Sequence, residues 1–321
     1  MRYVLFVTLP LLFAAGCSSG DDPAGPTPTV GQDGVVFPGS GPPPSQDEVC
    51  WGSDGTVVWY DAGIVPDTVG SYIVDPAIAG TWIREGSSGE QRKLANIGHN
   101  ARLSPDAQLL AVEVGGQIQV MDRFGGIRSR LTAGGRNFFP AWSPDGTRVA
   151  YDSSTETSAY KIAISRSDGQ FLNFVGSTGP GDQRMADWNP LTSSILCVRY
   201  PDAGGANQIF EISAGGALKQ LTNTPDEKAS PRYSPDATHI VFTAHKMGVG
   251  SYIYVMTSLG DSVQQVSPER GINPCWSPDG NSIAYTRITD PASPAYGTIW
   301  AIDLRSSAMH QLTFHHVSTS P

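Results

Sequence analysis

Six copies of one short phrase constrain this chain more than any other feature. The cleanest is Pro274-Cys275-Trp276-Ser277-Pro278-Asp279-Gly280, followed by Ser282-Ile283-Ala284-Tyr285. It reads as strand, tight turn, strand. Pro274 has no N–H and suits the first residue of a strand, and Trp276 is a large wedge for packing between layers. Pro278 presets φ for a turn, Asp279 folds its carboxylate onto nearby amides, and Gly280 accepts positive φ. Ile283 and Tyr285 then point one way and small Ala284 the other, which is strand alternation. The other copies align on Trp51, Leu103, Trp142, Trp188 and Tyr233. In five of the six an apolar anchor follows nine residues later: Leu103 to Val112, Trp142 to Tyr151, Trp188 to Cys197, Tyr233 to Phe242 and Trp276 to Tyr285. The first copy, Trp51 to Trp59, is one residue shorter.

Each copy continues into a third strand, such as Ile118-Gln119-Val120-Met121 or Tyr252-Ile253-Tyr254-Val255-Met256. A turn then leads to a fourth strand ending in Leu131-Thr132, Leu221-Thr222, Val266-Ser267 or Leu312-Thr313. Four antiparallel strands recurring every 40 to 50 residues or so describe a propeller blade. The predicted fold is all-β, a six-bladed β-propeller of four-stranded antiparallel blades over residues 47–321. One blade cannot bury both of its faces, so the ring must close.

The phrase P-x-W-S-P-D-G, with its following I-A-Y, I-Y-V-M and L-T, resembles the repeat of the TolB-like, WD40-like propeller family. The resemblance covers nearly the whole folded body and implies the propeller. It implies no single activity, because that family includes periplasmic adaptors, accessory propellers of peptidases and a few lyases. TolB also carries an N-terminal α/β domain, where this chain has only a low-complexity stretch, so a role in the Tol system does not carry over.

That stretch begins with an export signal. Arg2 precedes an apolar run from Val4 to Ala15, shorter than the roughly 20 residues a membrane span needs. Ala14-Ala15-Gly16 leads into Cys17, which resembles a lipobox with alanine where leucine is commoner. Residues 1–16 are read as a lipoprotein signal peptide and Cys17 as the lipid attachment site. Ser18, rather than aspartate, favours sorting to the outer membrane. Residues 17–46 are rich in Pro, Gly and Ser and read as an extended tether.

A formal charge of −9 without a basic stripe argues against nucleic acid. It also gives no reason to lie on anionic lipid, leaving the lipid anchor as the membrane contact. No G-x-S-x-G, HExxH, P-loop or G-x-G-x-x-G pattern occurs, and no catalytic residue, cofactor or metal site is assigned. The repeat aspartates are expected to cap their own turns. The resemblance implies a pocket on the opposite face, above the central channel, where blade entries and strand connections supply His99, Arg136, Arg184, His245 and His315. Either these residues bind a ligand or they are polar loops in water.

Two further features concern the first and last blades. Cys50 and Cys275 occupy the same repeat position, one residue before the aromatic, and ring closure makes their blades neighbours. They are either a disulfide, which an exported compartment permits, or two small packing residues. The connections between second and third strands are long in these blades, from Asp61 to Gly80 and from Thr286 to Gly297. The first includes Tyr72 and Ile73 and is too apolar for a disordered loop. The expected function is a cell-envelope lipoprotein, periplasmic or surface-facing, whose propeller binds or scaffolds an envelope protein or peptide without catalysis. The alternative is a polysaccharide lyase or glycan-binding protein using the channel mouth.

Overall fold

The computed structural model describes residues 46–313, apart from 67–71, 75–77, 87, 97, 156–158, 177–180, 201–204 and 289–296, together with 29–30 and 36–37. The chain forms two units, residues 1–40 and 41–321. In the first, Thr29–Val30 pairs antiparallel with Val36–Phe37. Cys17 and His315 lie outside the described residues.

In the second unit the six copies form six four-stranded antiparallel sheets, each taking its strands in chain order. The innermost strands are Gln46–Trp51, His99–Leu103, Arg136–Trp142, Gln183–Trp188, Glu227–Tyr233 and Gly271–Trp276. They contact one another in sequence around the ring, and the sixth returns to the first. Six apolar clusters fill the six interfaces between blades. The nine-residue spacing explains them. It places an aromatic on the inner strand and an aliphatic or aromatic anchor on the second strand, so both reach an adjoining blade. Among the described residues no sheet combines strands from the two ends of the repeat region. The seam therefore relies on side chains, with Val49, Val57, Trp59 and Trp82 packed on Ala284, Ile299, Ala301 and Leu312.

The turn aspartates act as the sequence predicts. Oδ1 of Asp106, Asp145, Asp236 and Asp279 accepts the hydroxyl of the serine two residues earlier at 2.5 to 2.6 Å. The same atom accepts the backbone N–H two residues later. These bonds, the serine's first, hold Asp145, Asp236 and Asp279 at about 2.

The fourth strands differ from expectation. They stop before the Leu-Thr pair, as in Ile127–Arg130 and Met309–Gln311. The hydroxyl then takes over the ladder: Thr132, Thr222, Ser267 and Thr313 accept the backbone N–H of Ile118, Ile209, Ile253 and Ile299. A short side chain thus satisfies a donor that an outer strand would otherwise have to reach. The long connection of blade 1 also acquires its own structure, with Ile64–Pro66 paired antiparallel to Tyr72–Val74 as a separate ribbon.

Candidate functional site

The channel is built by a defect repeated six times. Every innermost strand slips register by one residue against its neighbour, which is a β-bulge. Within each bulge the residue three before the aromatic is left-handed: Glu48 (φ 62°), Asn100 (52°), Phe139 (51°), Met185 (59°), Ser230 (49°) and Asn273 (52°). Positive φ is uncommon outside glycine and costly for bulky residues. Its recurrence at one repeat position marks a constructed feature that re-aims side chains into the channel. Five of the six are buried and Asn273 is half-buried. They meet around the ring: Glu48 Oε2 accepts the Asn100 N–H, Met185 Sδ accepts the Ser230 N–H at 3.3 Å, and Ser230 Oγ donates to Asn273 Oδ1 at 2.7 Å. This collar separates two ends of the channel.

The mouth end, where the inner strands begin, holds two polar clusters. Between blades 1 and 2, His99 lies against Tyr60, with ring centroids 3.9 Å apart, and its Nδ1 is 3.7 Å from Glu48 Oε1. Burial pushes Glu113 up, opposed by a Gly116 N–H and by His99. Burial also pushes Tyr60 up to about 12, helped by Glu48, Asp61 and Glu113. Between blades 3 and 4, Arg184 Nε lies 3.2 Å from Asp152 Oδ2, whose Oδ1 accepts the Met185 N–H at 2.8 Å. The guanidinium carbon sits 4.5 Å from the Tyr160 ring centroid and 5.4 Å from that of Phe139. Asp152 is wholly buried, and burial pushes it up to about 7 despite Arg184. Arg184 is thus held by its cage and its carboxylate.

The other residues singled out in the sequence do not converge. Arg136 opens the inner strand of blade 3 and is half-exposed. His245 Nδ1 is 3.1 Å from Ser251 Oγ in blade 5. Tyr72 and Ile73 belong to the ribbon of blade 1. His99, Arg184 and His245 stand in different blades, and among the described residues no group of three or more His, Cys, Asp or Glu is arranged to hold a metal ion.

The turn end is a funnel of about 390 Å³. Its inner ring is the residue one before the aromatic in each blade: Cys50, Arg102, Ala141, Asp187, Arg232 and Cys275. These positions also join the blades. The N–H of Trp51 donates to Cys275 Sγ at 3.2 Å, that of Leu103 to Cys50 Sγ at 3.4 Å, and that of Tyr233 to Asp187 Oδ2 at 2.9 Å. The indole N–H groups of Trp142, Trp188 and Trp276 donate to the carbonyls of Arg102, Ala141 and Arg232. Cys50 and Cys275 stand as free thiols, hydrogen-bonded to each other across the seam. That bond, with Arg102, the Leu103 N–H and Arg232, holds Cys50 below the ordinary thiol value against its burial and pushes Cys275 well up. Cys197, buried in an apolar interface, is pushed up to about 12. Sequence reading found the two cysteines of this ring but not Arg102, Asp187 and Arg232, although the same alignment on the aromatic lines them up. A larger cavity of about 530 Å³ lies away from the channel, beside the turns of blades 5 and 6.

Residues 116–321 match the TolB beta propeller domain family, well over half of the chain. The chain belongs to this family. A stretch of 149 residues, 46% of the chain, is 31% identical to 16% of the uncharacterized peptidase YuxL of Bacillus subtilis. A stretch of 120 residues, 36% of the chain, is 31% identical to 26% of the Tol-Pal system protein TolB of Bordetella pertussis. The matches thus span about a quarter or less of these relatives. Among solved structures, a putative TolB from Agrobacterium tumefaciens superposes with a TM-score of 0.60 at 20% identity, over 77% of this chain and 89% of that one. An oligogalacturonate lyase in complex with manganese gives 0.54 at 12% identity, over 86% and 80%. At these identities the likeness is one of fold. It confirms the propeller and leaves the activity to the site.

Proposed function

We propose that this chain is an envelope lipoprotein whose propeller binds an extended segment of another envelope protein at the channel mouth. The observation that carries the reading is the Ile64–Pro66 and Tyr72–Val74 ribbon, a strand pair that belongs to no blade and sits in a connection on the mouth side. A two-stranded ribbon has unpaired backbone edges, and an added strand from a partner satisfies them. The TolB relatives support the reading, since they are named as proteins of the Tol-Pal assembly. A glycan-active role draws on fold likeness to the lyase alone.

In this reading residues 1–16 are removed, Cys17 carries the lipid that holds the protein at the outer membrane, and residues 17–46 act as the stalk. Two acyl chains on one residue suffice for stable anchoring, so Cys17→Ser is expected to move the protein into the aqueous phase of a detergent extraction. Aqueous partitioning of the wild type would contradict anchoring. For the partner, a photocrosslinker at Ile73 in intact cells is expected to capture one discrete envelope protein, and one at Gln108 on the turn rim is not. A Gly-Ser turn in place of residues 64–74, leaving the buried Ile78 intact, should abolish capture by crosslinkers elsewhere at the mouth without changing the thermal midpoint. Equal capture at both positions, or capture that survives the replacement, would remove the ribbon as the site.

A further inference from the structure

We propose that the turn-end funnel binds a carboxylate carried on an apolar body, with the head group held between Arg102 and Arg232. This site lies at the opposite end of the channel from the mouth and does not depend on the reading above.

The arginines at this end outnumber the carboxylate that faces them. Arg232 is nine-tenths buried, and burial first, then Arg102, lowers its guanidinium to about 10. Arg102, half-buried, lines the same funnel. Among the described residues one carboxylate pairs with them, and only with Arg232: Asp187 Oδ1 is 3.9 Å from Arg232 Nε, while its Oδ2 accepts the Tyr233 N–H. Arg102 donates to the carbonyls of Glu48 and Ala101, and among the described residues no carboxylate forms an ion pair with it. With the Cys50 thiol protonated, two guanidiniums against one carboxylate leave a formal charge of +1 inside a chain of −9. Buried charge without a partner is costly, so the funnel favours a monoanion. The lowered Cys50 thiol shows the same field acting on a neighbouring group, after the larger effect of its hydrogen bond to Cys275.

The walls say what the anion is attached to. The funnel is also lined by Trp51, Trp142, Trp188 and Trp276 and by Pro144 and Pro278. The indole N–H groups of Trp142, Trp188 and Trp276 are engaged with carbonyls of the preceding blades, so these largely buried rings show only apolar edges to the funnel. A guanidinium fork matches a carboxylate in two parallel hydrogen bonds. A volume of about 390 Å³ accommodates such a head with a ring or short chain behind it.

The test titrates the purified full chain with 4-phenylbutyrate, following tryptophan fluorescence and calorimetry, with its uncharged amide and phenyl phosphate as separate arms. The expected result is saturable one-to-one binding of the carboxylate, at least about tenfold tighter than the amide. Arg102→Met should weaken it by about tenfold or more while leaving the thermal midpoint in place. If that variant fails to fold, Arg102→Lys, which keeps the charge and loses the fork, should weaken binding as well. Bound carboxylate should also slow alkylation of Cys50 at neutral pH, and the amide should not. Equal binding of acid and amide, undiminished binding in the arginine variant, or no binding in any arm would overturn the proposal. Tighter binding of phenyl phosphate would overturn the choice of a monoanionic carboxylate.

Discussion

The two ends of the channel use one backbone and treat charge in opposite ways. At the mouth, Arg184 faces a buried carboxylate and sits among aromatic rings, and His99 faces Glu48. At the turn end, Asp187 faces Arg232, and Arg102 has no ion pair among the described residues. The repeat holds every blade to the same strand, bulge and turn, so a residue's level in the channel follows from its distance to the aromatic. Four places before it faces the mouth, three before joins the collar, and one before enters the funnel. Chemistry at each level is then a choice of six side chains on a fixed frame. The mouth-end choice gives pairs that hold blades together, and the turn-end choice leaves charge over.

The comparison breaks most visibly when one partner is removed at each end. Asp152→Leu strands Arg184 in its cage, and a buried ion left unpaired costs about 3–5 kcal/mol. Denaturant unfolding should show that loss as a lower midpoint at unchanged slope. Arg102→Met, which strands no carboxylate, should change stability by less than about 1 kcal/mol. Equal losses at the two ends would show that the turn-end arginines are structural ion-pair members like Arg184.

A second change acts on the seam. Oxidising Cys50 and Cys275 together would close 275 − 50 = 225 positions of chain, where among the described residues no sheet is shared between the first and last blades. We expect oxidised glutathione to remove these two thiols and leave Cys197 free, with a gain typical of disulfides, about 2–4 kcal/mol. Denatured, unreduced protein that still shows all three thiols would leave the pair as packing residues.

A smaller effect concerns pH. The folded carboxyl of Asp152 is raised to about 7, above its ordinary value, because burial outweighs the help of Arg184 and the Met185 N–H. The folded state therefore binds this proton more tightly than the unfolded state does. Its contribution to stability is complete below about pH 4 and is lost as pH rises through about 7. Asp152→Asn should remove that slope, so the difference in unfolding free energy between the wild type and the variant should change across pH 4 to 7. A constant difference would contradict the raised value.

Much of the frame was legible because its signals are local. The Pro-Asp-Gly turn and the nine-residue register are written in adjacent residues, and each blade closes on itself before the next begins. The Leu-Thr tail misled by one step: its apolar residue looks like a strand end, while its hydroxyl completes the ladder as a side chain. The collar was illegible because no glycine marks the left-handed position, which holds Glu48, Phe139 and Met185 as readily as Ser230. Arg184 looked like an available loop charge because its carboxylate lies 32 residues away, in the preceding blade. Arg102 and Arg232 carried no signal singly. Their meaning arises when ring closure sets blades 2 and 5 across one funnel.

The unbalanced charge of the turn end is tested most directly by the pH dependence of Cys50 alkylation in the reduced protein, with Cys197 as a silent internal reference. The midpoint is expected below the ordinary thiol value in the wild type, through Cys275 first and Arg102 next, and the part owed to the arginine is expected as an upward move in Arg102→Met. A wild-type midpoint at the ordinary thiol value near 9, unmoved by the arginine substitution, would contradict it.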